Sequence, residues 1–161
     1  LDVLVNGRAD LVLERAGELA VVDLKWSGTR FREEIIRNEE DLQLALYTTL
    51  LSDGSQWAYS AYYIMEKAQM IARSKEAFHD LRPVSPHLSA AEAHERIMAK
   101  MHATYRWRKE QISQGMIEIR CEQTRLSLEE AYRGQNLSDL LEMKNGDAPF
   151  DDYRVLINLI E

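Results

Sequence analysis

Cysteine is nearly missing from this chain: Cys121 stands alone among 161 residues. One thiol cannot close an internal disulfide, and it cannot build an all-cysteine metal site. A disulfide-stapled scaffold and a Cys₄ module are therefore both excluded, and the expected compartment is a reducing cytoplasm. Long apolar runs are missing as well, where a membrane-spanning helix needs about 20 such residues. So is any excess of cations. Lys and Arg number 20 against 27 Asp and Glu, a formal charge of −7. That balance argues against a histone-like binder, which depends on cations displacing counterions from phosphates, although net charge does not reveal a local basic groove. No internal repeat and no low-complexity segment occurs.

What remains is ordinary globular material, about one domain's worth, with 45% hydrophobic residues. The opening Leu1-Asp2-Val3-Leu4-Val5 has strand chemistry rather than the basic-then-apolar pattern of a signal peptide. Beginning on Leu1, the chain reads as a piece cut from something longer, with part of a functional site expected upstream. Asn6-Gly7 between two β-rich runs predicts a hairpin, and Arg15-Ala16-Gly17-Glu18 a second turn. Leu19 to Trp26 is more continuously apolar and reads as a central strand. From Phe31 to Leu51 apolar residues recur every three to four positions, which predicts one helix closed by Asp53-Gly54.

Trp57 to Met65 reads as a fourth strand, with a shorter one around Met70-Ile71-Ala72 after a Glu66-Lys67 turn. Past Pro83 and Pro86, Ser89 followed by Glu92 forms a capping box that predicts a second long helix to about Ser113, stopped by Gly115. Ser127 to Met143 looks helical, Asn145-Gly146 a turn, and Tyr153 to Ile160 either helix or strand. The order βββ–α–ββ–α predicts an α+β fold with one mixed central sheet flanked by helices.

Chemistry concentrates near the start. Asp23 and Lys25, two apart on one strand, share a face about 6–7 Å from each other along the chain, while Ala20, Val22, Leu24 and Trp26 take the other face. The turn at Arg15–Glu18 brings Asp10 roughly opposite Asp23. Two carboxylates on one patch repel unless a cation sits between them, and hard oxygen ligands suit Mg²⁺ or Mn²⁺. Such an ion with a lysine beside it suits phosphodiester hydrolysis, with Lys25 orienting a water or stabilising developing charge. Gln43 and Tyr47, four apart on the helix, stack on one side of it and could face the same site.

These segments, Gly7-Arg8-Ala9-Asp10, Val22-Asp23-Leu24-Lys25-Trp26 and Gln43-Leu44-Ala45-Leu46-Tyr47, resemble the PD-(D/E)XK nuclease superfamily. More narrowly they resemble its RecB-like branch, with G-x-x-D, D-x-K and Q-x-x-x-Y in that order. The resemblance covers residues 1 to about 51 well and extends loosely to Gly115. It implies a restriction-endonuclease-like core over residues 1–120 and a helical extension or link to a further domain over 121–161. It implies Asp10 and Asp23 as metal ligands, Lys25 as the catalytic lysine, and Gln43 and Tyr47 completing the site by placing water and nucleic acid. The implied cofactor is Mg²⁺ or Mn²⁺, the substrate DNA, and the setting a larger repair, recombination or defence protein with further domains or subunits and no membrane. The acidic or histidine residue that relatives carry on a helix before the first strand has no counterpart here. Cys121, being single, implies no iron–sulfur cluster.

Each motif alone has a plainer reading. A D-x-K can be a solvated strand end, and Gln43 with Tyr47 the polar margin of an amphipathic helix. A catalytically inactive module of the same fold, binding nucleic acid or a partner protein, is the alternative function, and an unrelated α+β module with coincident motifs is a third. Arg30, Arg32 and Arg37 near the site are phosphate contacts or solvated helix. Arg106, Arg108 and Lys109 around Trp107, with Arg96 and Lys100 upstream, could track a nucleic-acid backbone or form a charged helix face over a buried Trp107. His94 and His102 read as surface histidines, and Tyr59, Tyr62 and Tyr63 as sheet packing.

Overall fold

In the computed structural model, which describes residues 4, 6–52, 57–78, 81, 83–84, 88–117 and 139–141, the first regular element is a hairpin. Strands β1 (Leu11–Arg15) and β2 (Glu18–Lys25) pair antiparallel through the two-residue turn Ala16-Gly17. Both turn residues are left-handed, at φ 53° and 85°, the pair of positive angles that matches the twist of the flanking strands. The tight hairpin turn predicted at Asn6-Gly7 is not formed. Residues 6–9 are irregular and Gly7 lacks the positive φ such a turn demands. Its place in the sequence has another reason: a Cβ there would lie 3.4 Å from Cε1 of Tyr47, whose ring packs against this segment.

The single helix predicted over residues 31–51 is two, α1 (Thr29–Arg37) and α2 (Leu42–Leu51). Glu39 stands at φ 56° and ends α1. The Glu40 amide donates to the Ile35 carbonyl at 2.8 Å and the Glu39 amide to Ile36 at 3.2 Å, the paired bonds of a Schellman termination. That position normally carries glycine, so nothing in the sequence announced the break.

Strand β3 (Tyr59–Ile64) pairs parallel with β2, and β4 (Gln69–Ala72) pairs antiparallel with β3 after a single 3₁₀ turn at Met65–Lys67. The sheet order is β1-β2-β3-β4, so β2 is interior, as its apolar run predicted. A parallel neighbour requires a crossover, and α1 with α2 supplies it. Ile35, Ile36 and Leu44 from these helices close on Tyr62, Ile64 and Ile71 to form the core, with Val84 packed against it. Tyr62 and Ile64 stand opposite Asp23 and Lys25 in register. Directly paired residues share a face, so Asp23 and Lys25 lie on the helix-covered face of the sheet. The fold is thus α+β with a mixed sheet flanked by helices, in the order ββ–αα–ββ–α among the described residues.

Helix α3 (Ala90–Ser113) begins where the capping box predicted. Glu92 accepts from the Ser89 amide and hydroxyl at 3.0 and 2.7 Å, and the Glu92 amide returns a bond to Ser89 Oγ at 3.2 Å. Gly115, at φ 73°, closes α3 with bonds from its own amide to Ile112 and from Met116 to Gln111. The chain divides into two compact units, Leu1–Ala99 and Lys100–Glu161. In the second, Trp107, Leu140 and Leu141 are buried, and Thr104 Oγ1 accepts from the Leu141 amide at 2.8 Å. The expected elements at residues 1–5 and 127–143 lie outside the described residues except at 4 and 139–141, and those at 145–146 and 153–160 lie wholly outside them. No described helix is long and apolar enough to cross a membrane.

Candidate active site

Four side chains, Asp23, Lys25, Gln43 and Tyr47, are joined at the C-terminal end of β2, and Asp10 from a third segment bonds to the backbone of that strand. Asp10 precedes β1 by one residue and falls opposite Asp23 when the register Leu11↔Val22 is continued. Its Oδ2 accepts a 2.9 Å bond from the Leu24 amide. That amide points to the same side of β2 as the Val22 amide, toward β1, which has already ended. The Asp10 carboxylate therefore takes the donor that a longer strand would have taken.

Asp23 is 1% exposed, and its Oδ2 lies 2.8 Å from Lys25 Nζ. That oxygen is buried and has no partner in good hydrogen-bond geometry, so the ammonium compensates it as a charge rather than as a directed donor. Lys25 Nζ also donates to Gln43 Oε1 at 3.2 Å; Gln43 Nε2 donates to the Tyr47 hydroxyl at 3.1 Å; and that hydroxyl donates to the Arg8 carbonyl at 2.8 Å. One polar chain therefore runs Asp23–Lys25–Gln43–Tyr47–Arg8 and returns to the segment bearing Asp10. The helical spacing of Gln43 and Tyr47 places them on one side of α2, as their separation of four predicted.

The basic residues fare differently. Arg30 and Arg106 are exposed, and Arg37 pairs with Glu33 at 3.0 Å on the surface. Arg32 turns inward, its guanidinium 4.8 Å from the Phe31 ring and 5.2 Å from the Tyr62 ring. Arg108 lies 4.4 Å over Trp107 and donates to Gln111 at 3.0 Å. Tyr62 is buried in the sheet core as predicted, and burial, with Asp41 and Asp23 adding to it against the pull of Arg32, pushes its phenol well above the usual range. His94 is not a surface histidine. It is 8% exposed, its ring 4.0 Å from Trp57 and its two nitrogens each 3.4 Å from a hydroxyl, those of Thr48 and Thr49.

Sequence reasoning missed one buried pair, Asp41 with Arg73, joined at 2.7 Å. Partners so far apart in the chain leave no local signal. A cleft of about 1020 Å³ lies elsewhere in the first unit, lined by residues that include Glu33, Arg37, Lys67 and Met70 and by none of the five site residues.

Among the described residues no group of three or more His, Cys, Asp or Glu is arranged to hold a metal ion. The donor set at β2 nonetheless fits a hard cation. It offers two carboxylates, one of them with a buried oxygen compensated only by an ammonium, and Mg²⁺ is commonly held by one or two carboxylates, with water and phosphate oxygens completing its shell. Comparison with known families finds that a model described as the PD-(D/E)XK nuclease superfamily matches residues 1–154. No curated protein and no solved structure matches.

Proposed function

The chain belongs to the PD-(D/E)XK nuclease superfamily, and from that premise we propose that it is a metal-dependent deoxyribonuclease of the RecB-like type, the nuclease module of a larger repair, recombination or defence protein. The observation that carries this reading is the continuous polar chain from Asp23 through Lys25, Gln43 and Tyr47 to Arg8, beside Asp10. Solvated strand ends and helix margins have no reason to bond to one another across three segments.

In this reading Asp10 and Asp23 hold Mg²⁺ or Mn²⁺. When bound, the ion supplies a Lewis acid for a phosphoryl oxygen and a means of lowering the pKa of water. Lys25 carries a fixed positive charge at the same place, which stabilises the charge that builds on the phosphoryl oxygens as water adds and the P–O bond breaks. Gln43 holds Lys25 through Oε1, so the ammonium keeps one direction instead of sampling the rotamers of a free lysine. Tyr47 holds Gln43 and is itself anchored on the Arg8 carbonyl, so α2 and the segment before β1 keep a fixed distance. Of the basic residues in the first unit, Arg30 is an exposed candidate for phosphate contact.

The test is cleavage of single- and double-stranded DNA in Mg²⁺ or Mn²⁺ by the wild type and by Asp23→Asn and Lys25→Gln, which keep hydrogen-bonding groups in the buried positions. Each variant should lose a factor of roughly 10²–10³ or more in rate while its melting curve stays cooperative. Full activity in both folded variants would refute the assignment. A wild type that binds DNA without cutting it would support the inactive module instead.

A further inference from the structure

An aspartate at the start of a helix ordinarily spends its carboxylate on a first-turn amide. Asp41 stands at that position before α2, yet its side chain makes no cap bond. Its Oδ1 instead accepts a 2.7 Å bond from Arg73 Nη2, the residue directly after β4, and the two side chains are only 6% and 10% exposed. Burial raises the Asp41 carboxyl above its usual range despite the pull of Arg73, so the pair sits where charge is expensive. Buried ion pairs often add no net stability over apolar replacements of similar volume, and in some proteins they instead fix one geometry.

The geometry at stake here is the start of α2. The backbone arrives from the left-handed Glu39, and the Asp41 carbonyl accepts the bond from Ala45 at 3.1 Å. Gln43 comes two residues after Asp41 and reaches Lys25 at 3.2 Å, close to the outer limit of a useful hydrogen bond. A small shift of the helix start would break that contact. A second ion pair on this connection, Arg96 with Glu39 at 3.0 Å, has its arginine 58% exposed and constrains less.

We propose that the buried Asp41–Arg73 ion pair is a positioning device for the site: by tying the residue before α2 to the end of β4, it holds Gln43 on Lys25. The inference rests on the nuclease reading above. Neither residue touches the reacting atoms; both act through Gln43.

The experiment compares wild type, Gln43→Ala, Asp41→Asn and the Gln43→Ala/Asp41→Asn double variant in two readouts. The first is steady-state DNA cleavage. Asp41→Asn should lower kcat by about tenfold to a hundredfold, the range for a misplacement of the order of 1 Å, with KM little changed, and should cost nothing further in the Gln43→Ala background. The second is the side-chain amide resonance pair of Gln43 in the metal-free protein, which should move toward the solvent-exposed position in Asp41→Asn. If Asp41→Asn does not fold, Arg73→Lys, which keeps the charge without the planar fork, carries both readouts with a smaller loss. Losses that multiply with that of Gln43→Ala, or a Gln43 resonance that does not move, would overturn the inference and leave the nuclease reading standing. A folded wild type that cuts no DNA would overturn the nuclease reading itself, and with it any catalytic use of the pair.

Discussion

A carboxylate that is 1% exposed, as Asp23 is, must be compensated locally. Lys25 does this at 2.8 Å, and removing the lysine would leave a buried charge, a change that costs about 3–5 kcal/mol where it has been measured. The same proximity that the proposed reaction would use in Lys25 makes it necessary to the resting protein, so substitutions here are read against melting curves as well as rates. His94 poses the opposite problem, a titratable ring whose burial favours the neutral form. The hydroxyls of Thr48 and Thr49 approach at 3.4 Å, too far to offset burial, and its pKa is lowered although Glu95 opposes the shift. Well above pH 6.5, the ordinary histidine pKa, the ring is neutral in both folded and unfolded chains and contributes no pH dependence. As pH falls below that value the unfolded chain takes up the proton first, so stability declines until the lowered folded pKa is passed. Thermal unfolding between pH 7.5 and 5.5 should therefore show a falling midpoint whose slope flattens in His94→Gln; equal slopes in the two proteins would contradict this account of the ring.

Among the elements, the turn between β1 and β2 carries a measurable strain. Ala16 sits at φ 53° beside Gly17 at φ 85°, and the left-handed region costs an ordinary residue on the order of 1 kcal/mol that asparagine largely avoids. Ala16→Asn should stabilise the protein by up to about 1 kcal/mol in urea unfolding, and a loss of stability would show that the turn is held by something other than its backbone angles. This turn was legible in Arg15-Ala16-Gly17-Glu18, whereas the tight turn expected at the stronger Asn6-Gly7 signature did not form, since residues 6–9 run irregularly beside Tyr47 and Gly7 takes no positive φ. The division of α1 from α2 was hidden by a left-handed Glu39 where glycine is the usual marker. By contrast, the capping box at Ser89 and Glu92 was legible, because all its bonds join residues three apart. Local chemistry reads directly; what tertiary pairing decides does not.

Across the whole molecule, the site exists only because the chain returns to the same place three times. The segment at Arg8–Asp10, the end of β2 and the first turns of α2 are distant in sequence, and the parallel crossover from β2 to β3 brings the helix over the face that bears Asp23 and Lys25. The motifs were legible because alternation along a strand and spacing of four on a helix fix the side on which each residue lies. Their joining bonds were not, since Lys25 to Gln43 and Tyr47 to Arg8 span 18 and 39 residues; neither was the buried Asp41–Arg73 pair, which spans 32. A net charge of −7 makes unaided attraction to DNA weak, so the proposed function leans on the cation assigned to Asp10 and Asp23. The most direct measurement is a calorimetric titration of the protein with Mn²⁺, repeated on Asp10→Asn and Asp23→Asn. A saturable site is expected in the wild type, lost or strongly weakened in both variants, each of which stays folded. A wild type that binds no Mn²⁺, or binding that neither substitution alters, would contradict this assignment.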